Sequence, residues 1–142
     1  MPQTFTHRLK ILFQHCDPAG IVFYPRYFEM VNQTVEAWFD TSLGFSFAEM
    51  HMQSGYGVPT ASISADFTAP SRMGDVLDWS LVVMRLGRTS AQLDVTARDG
   101  DERRLSARLT LVYLQMAEGR PTPWPDDLRA AMSRYLVAET EA

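Results

Sequence analysis

A chain of 142 residues, 46% hydrophobic and 21% charged, has the size of one domain able to bury about two-thirds of its unfolded surface, so residues 1–142 are expected to form a single unit. No apolar run approaches the ~20 residues of a membrane-spanning helix, and Met1 to His7 lack the basic-then-apolar layout of a secretory signal, which makes the cytoplasm the expected compartment. One cysteine excludes an internal disulfide, three scattered histidines lack metal-ligand spacing, and a net charge of −4 argues against nucleic acid as a partner.

In chain order, Phe5, His7, Leu9, Ile11 and Phe13 recur at period two and predict a first strand. After a turn-rich loop, Pro25 suits a first helical position. Tyr27, Val31, Val35 and Trp38, flanked by Phe28, Met30 and Phe39, predict a deeply packed helix that Gly44 stops. Ser46 and Glu49 form a capping-box pattern with Phe45 and Met50 as its hydrophobic staple, so a short helix should begin there. Beyond Gly55 and Gly57, Ala61, Ile63, Ala65, Phe67 and Ala69 predict a strand ended by Pro70. Leu77, Trp79, Leu81 and Val83 predict another strand, and Ala91, Leu93, Val95 and Ala97 a third. Asp99-Gly100 signals a hairpin before the last strand, which carries Leu105, Ala107, Leu109, Leu111 and Tyr113. Pro121, Pro123 and Pro125 punctuate a loop ahead of a terminal helix on Leu128, Ala131, Met132 and Tyr135. Strand, long helix, short helix, four strands in meander, helix: the class is α+β, an antiparallel sheet wrapped around a long central helix.

Asp17 is the residue with the most chemistry to offer. It lies on the loop His15-Cys16-Asp17-Pro18-Ala19-Gly20, a few residues before the positive end of the long helix, whose free N–H groups can hold an oxyanion. A carboxylate that attacks or activates water beside such donors is the minimum equipment for acyl transfer. Taken alone, Asp-Pro and Ala-Gly are first of all turn-forming residues. His15, two residues earlier, would favour ionised Asp17 if protonated or donate a hydrogen bond if neutral, and is otherwise an exposed or structural histidine. Cys16 reads as a small buried side chain. Gly44-Phe45-Ser46-Phe47-Ala48 lacks the final glycine of a nucleophile elbow, and Gly55-Tyr56-Gly57 precedes a strand, unlike a phosphate-binding loop.

The run from His15 to Pro25 closely resembles the active-site segment of hotdog-fold acyl-CoA thioesterases of the 4-hydroxybenzoyl-CoA thioesterase type. The resemblance covers essentially the whole chain and is most specific from Phe13 to Tyr27. It implies a single hotdog domain, with the aspartate matching Asp17 as nucleophile or general base and the backbone N–H at Tyr24 polarising the thioester oxygen. The segment Arg85-Leu86-Gly87-Arg88-Thr89-Ser90 resembles the one on which the family lays coenzyme A. Arg88 would pair with phosphate while Thr89 and Ser90 line the pantetheine arm, although alone it is a solvated basic turn. Aromatic-acyl members bind the ring hydroxyl through an aspartate where this chain has Asn32, and many relatives carry aspartate in place of His15. Both are departures, and the first puts strict 4-hydroxybenzoyl recognition in doubt.

The resemblance also implies a homodimer or homotetramer with active sites between subunits. The expected function is hydrolysis of a small acyl-CoA, aromatic and 4-hydroxybenzoyl-like, to free acid and coenzyme A. No metal or redox cofactor is expected, coenzyme A being part of the substrate. The competing expectation is a non-catalytic acyl-thioester binding or scaffold protein on the same fold.

Overall fold

Alternating apolar and polar residues give β1 (Phe5–Lys10) in the computed structural model, which describes residues 2–137. Ile11 follows fully buried, whereas Phe13 falls in a 3₁₀ turn (Phe13–His15) and is 82% exposed, so the strand ends before the alternation does. Pro25 opens α1 (Pro25–Ala37), which buries Tyr27, Met30, Val31, Thr34 and Val35. The helix continues without a break as a π-helical stretch (Trp38–Leu43), and Gly44 stops it in the left-handed region at φ 79°.

Ser46 caps α2 (Phe47–Glu49), accepting the Glu49 N–H at 3.1 Å. A second π-helical turn (Met50–Ser54) leads to β2 (Tyr56–Gly57) and β3 (Thr60–Phe67). Then come β4 (Val76–Leu86), β5 (Ser90–Asp99) and β6 (Glu102–Val112), with hairpin turns at Gly87 and Gly100. β7 (Leu114–Gln115), β8 (Arg120–Pro121) and α3 (Asp126–Ser133) complete the described residues.

The main sheet is antiparallel in the order β1-β4-β5-β6-β3. Its inner face, with Leu77, Trp79, Leu81, Leu93, Val95, Leu105 and Leu109 at 0–1% exposure, shares one core with α1. Each such leucine stabilises the fold by roughly 1.5–3 kcal/mol. This is the expected α+β class. The expected four-strand meander is corrected: β3 does not pair with β4 but crosses to the far edge beside β6, and β1 takes the place next to β4. Ile63, Ala65 and Phe67 pair with Leu109, Ala107 and Leu105, so they share the inner face. Yet Ile63 is 39% and Phe67 44% exposed, because the described residues cover that end of the face only in part. The small sheet β2-β7-β8 was not visible as periodicity, since its strands are two residues each. No helix among the described residues is long and apolar enough to cross a membrane.

Candidate active site

The loop before α1 is a closed backbone structure. The Asp17 N–H donates to Ile21 O at 3.0 Å, the Gly20 N–H returns to Asp17 O at 2.9 Å, and Cys16 faces Val22 in an isolated antiparallel bridge. Gly20 takes φ 83°, which is costly for a residue with a Cβ and makes glycine the natural choice. Asp17 Oδ1 accepts the Ala19 N–H at 2.9 Å, the side-chain turn that Asp-Pro sequences favour. The turn reading of Asp17 is thus met by its side chain.

His15 Nδ1 accepts the Leu12 N–H at 2.8 Å, so the ring is neutral with its proton on Nε2. Burial lowers its pKa below the ordinary value, with Glu29 opposing and Arg26 adding to the effect. The His15 carbonyl accepts the Phe23 N–H at 2.9 Å. Among the described residues no hydrogen bond joins His15 to Asp17, so the structure places the imidazole as a loop anchor.

At the start of α1 the Arg26 and Tyr27 N–H groups donate to Phe23 O and Tyr24 O at 2.9 and 3.1 Å, and Pro25 has no N–H. Tyr24 is the cap residue, and its own N–H has no acceptor among the described residues. Helix starts leave such donors free, at the positive end of the peptide dipoles. Tyr24 and Asp17 line the same cleft, of about 480 Å³, with Ile21, Val22, Phe23, Tyr27, Phe67, Thr68, Ala69 and Pro70. Its wall is aromatic: Phe67 stacks on Tyr27 with ring centroids 5.5 Å apart and lies 6.0 Å from Tyr24.

The other sequence candidates lie elsewhere in the chain. Asn32, exposed on α1, lines two further clefts, one with Val35, Phe47, His51, Pro59, Thr60 and Met116 and the other with His7, Glu29, Gln33, Glu36 and Asp40. Neither includes Asp17. Arg88, Thr89 and Ser90 form the β4–β5 turn, whose carbonyls are engaged: Arg88 O and Ser90 O accept the Trp124 N–H and Nε1–H, and Thr89 O the Tyr113 N–H. Ser90 lines a polar cleft with Arg85, Gln92 and Thr110. Within one chain, then, the structure brings Asp17 and Tyr24 together and keeps Asn32 and the Arg88 turn apart from them. Among the described residues no three His, Cys, Asp or Glu side chains form a group able to hold a metal ion.

Sequence reasoning missed Phe67 as a cleft wall, and it missed Ser71 and Arg104 behind the cleft. Phe67 read as an ordinary inward strand residue. Arg104 drew no reading of its own, lying inside the charged run Asp101-Glu102-Arg103-Arg104, a pattern common to solvated turns.

A family model described as the thioesterase-like superfamily matches residues 11–132. A 1,4-dihydroxy-2-naphthoyl-CoA hydrolase of Synechocystis is 24% identical over 131 residues, covering 91% of this chain and 94% of that protein. The crystal structure of a 1,4-dihydroxy-2-naphthoyl-CoA thioesterase from Synechocystis aligns with a TM-score of 0.84 at 22% identity, over 92% of this chain and 96% of the other. The structure of a gentisyl-coenzyme A thioesterase aligns with a TM-score of 0.80 at 24% identity, over 91% of this chain and 99% of the other.

Proposed function

The chain belongs to the thioesterase-like superfamily, with the hotdog fold, and on that premise we propose that it hydrolyses an aromatic acyl-CoA to the free acid and coenzyme A. The observation that carries this reading is the aromatic cleft lined by both Asp17 and Tyr24, whose N–H has no acceptor among the described residues. The thioester carbonyl lies with its oxygen at Tyr24 N–H, where a fixed donor at a helix start is worth ~3 kcal/mol in the transition state. Asp17 either attacks the carbonyl carbon, expelling the thiolate and leaving an anhydride for water to cleave, or takes a proton from the attacking water. Both routes consume one water and release acid and thiol, and neither needs a metal or redox cofactor.

The relatives named for 1,4-dihydroxy-2-naphthoyl-CoA and gentisyl-CoA act on hydroxylated rings, and the aromatic wall suits such an acyl group. Asn32 is neutral where aromatic-acyl members of the family carry an aspartate, so a ring hydroxyl is tolerated here more than required. Arg88, exposed on its turn, is the proposed partner of a coenzyme A phosphate, with Thr89 and Ser90 beside the pantetheine arm.

The working form in this reading is a dimer joined through the free edge of β3. A two-fold axis near the middle of that strand would set the Phe67 end of one copy beside the Thr60 end of the other. The Asp17 cleft of one subunit, bounded by Phe67 to Pro70, would then adjoin the cleft of the partner subunit that holds Asn32.

The test is thiol release from benzoyl-, hydroxybenzoyl-, phenylacetyl- and short aliphatic-CoA esters by the wild type and by Asp17→Asn. Turnover is expected with the aromatic esters, and the variant, folded and still binding, should lose most of it. Saturation without turnover in the wild type would make the protein a thioester binder, and an unimpaired variant would remove Asp17 from the chemistry.

A further inference from the structure

We infer that Arg104, acting through Ser71, is the positioning residue that holds the Asp17 loop and the first turn of α1 in register with the sheet. Its catalytic consequence rests on the thioesterase reading, but its structural part does not.

Arg104 is 8% exposed, on a strand whose hairpin is otherwise solvated. The cause is a bulge. Ala97 pairs with Leu105 and Arg98 with Arg103, which leaves Arg104 as the extra residue of β6. An extra residue bends the strand and re-aims its side chain, and this one is aimed inward. There its Nη1 donates to Pro70 O at 3.0 Å, Ser71 Oγ at 3.1 Å and Asp75 Oδ2 at 2.9 Å. Nη2 donates to Asp99 Oδ2 at 3.0 Å, and Nε pairs with Glu102 Oε1 at 2.6 Å. Burial works against the guanidinium charge, but Asp75 and Glu102 more than offset it and raise the Arg104 pKa.

These partners lie in the crossover from β3 to β4, the segment that touches the loop. Ser71 is fully buried, its Oγ accepts the Tyr27 hydroxyl at 2.9 Å, and its carbonyl accepts the Val22 N–H at 2.9 Å. Ile21 faces Arg72 in an isolated bridge, and the Arg72 N–H donates to Asp75 Oδ2 at 2.9 Å. Thr68 and its neighbours Ala69 and Pro70 form the cleft wall opposite Asp17, and the Thr68 N–H donates to Arg104 O at 3.0 Å. One guanidinium therefore fixes the cleft wall at Pro70, the crossover segment that pairs with the Asp17 loop, and, through Ser71, the tyrosine in the first turn of the helix. A buried ion of this kind is a poor source of net stability. What it supplies is geometry, since planar guanidinium donors leave little freedom to the groups they hold.

Cys16, the chain's one cysteine, sits in the loop beside Asp17 and opposite Val22, so its alkylation rate by iodoacetamide reports loop opening independently of any activity. Arg104→Met is expected to raise that rate by roughly tenfold or more, as for local opening of a segment that loses its anchor. It should also lower kcat by about tenfold or more with KM changed much less, because misplacing a reacting group acts on the chemical step. Arg104→Lys keeps the charge but not the fork, and should restore only part of both. Arg8→Met, which breaks an exposed ion pair from β1 to Asp78 of β4, should move neither. If Arg104→Met does not fold, Ser71→Ala decides: it cuts the link to Tyr27 and should still speed Cys16 alkylation by about threefold. A Cys16 rate that stays within twofold of wild type in the folded Arg104→Met protein, or failing that in Ser71→Ala, overturns the inference, as does an equal rise in Arg8→Met. If the wild type hydrolyses no thioester, the thioesterase reading fails and the Cys16 rates alone decide this one.

Discussion

His15 is two residues from Asp17, but its ring is engaged with the backbone of its own 3₁₀ turn, where Nδ1 accepts the Leu12 N–H. A proton on Nδ1 would destroy that bond. Burial already holds the pKa below the ordinary 6.5, so the unfolded chain binds a proton more readily than the folded one. The stability contributed by the anchor is therefore full above about pH 6.5 and is lost as the pH falls through the lowered folded value. His15→Gln offers a neutral acceptor at every pH. Thermal midpoints taken between about pH 7.5 and 5 should decline less steeply in that variant than in the wild type, and equal slopes would show that the titrating anchor lies elsewhere.

At the scale of the elements, what was legible was whatever local periodicity controls. Pro25 and Gly44 bound the long helix as expected, and the inward residues of β4, β5 and β6 alternate as read. The place of β3 was not legible, because its choice of β6 over β4 is a pairing between distant segments and leaves no trace in its own alternation. Arg104 was hidden for a related reason: a one-residue bulge reverses the face of a side chain without changing the charge pattern around it. The place of Asp17 on a loop just ahead of a helix start was legible in the sequence, and the family resemblance pointed to the Tyr24 N–H, but the absence of an acceptor for that N–H among the described residues depends on how Pro25, Arg26 and Tyr27 close the first turn.

Gly57 on β2 carries a prediction of its own. A Cβ there would lie 2.6 Å from His51 Nε2 and 2.9 Å from Met116 Sδ, and His51 is not free to retreat, since its Nδ1 is 2.9 Å from Phe47 O. Gly57→Ala should cost about 1–3 kcal/mol, the usual cost of overpacking, read as a lower urea midpoint at unchanged slope. Adding His51→Ala removes the obstacle and should recover most of the loss; an additive double variant would contradict the contact.

For the whole molecule the unresolved force is the free edge of β3. An exposed strand of eight residues presents a row of backbone donors and acceptors, which proteins normally blunt with charge, proline or cover. This strand has one charged residue, Asp66, and shows Ile63 and Phe67, each more than a third exposed, on a face that α1 covers only in part. A second copy paired on that edge, as proposed, would satisfy the backbone, cover the apolar face and bring the Asp17 cleft of one chain beside the Asn32 cleft of the other. Ile63→Glu places a carboxylate where a monomer tolerates it, because the side chain is partly in water, but where a paired copy would bury it unpartnered at high cost. The wild type should sediment as a dimer or larger even assembly, and Ile63→Glu as a folded monomer. In the proposed reaction the monomer keeps Asp17 and Tyr24 yet loses the far wall of the acyl site. Its kcat/KM for aromatic CoA esters should fall by roughly a hundredfold, about 2.7 kcal/mol of transition-state binding. A variant that remains dimeric, or a monomer with undiminished kcat/KM, would show that one chain holds the complete site.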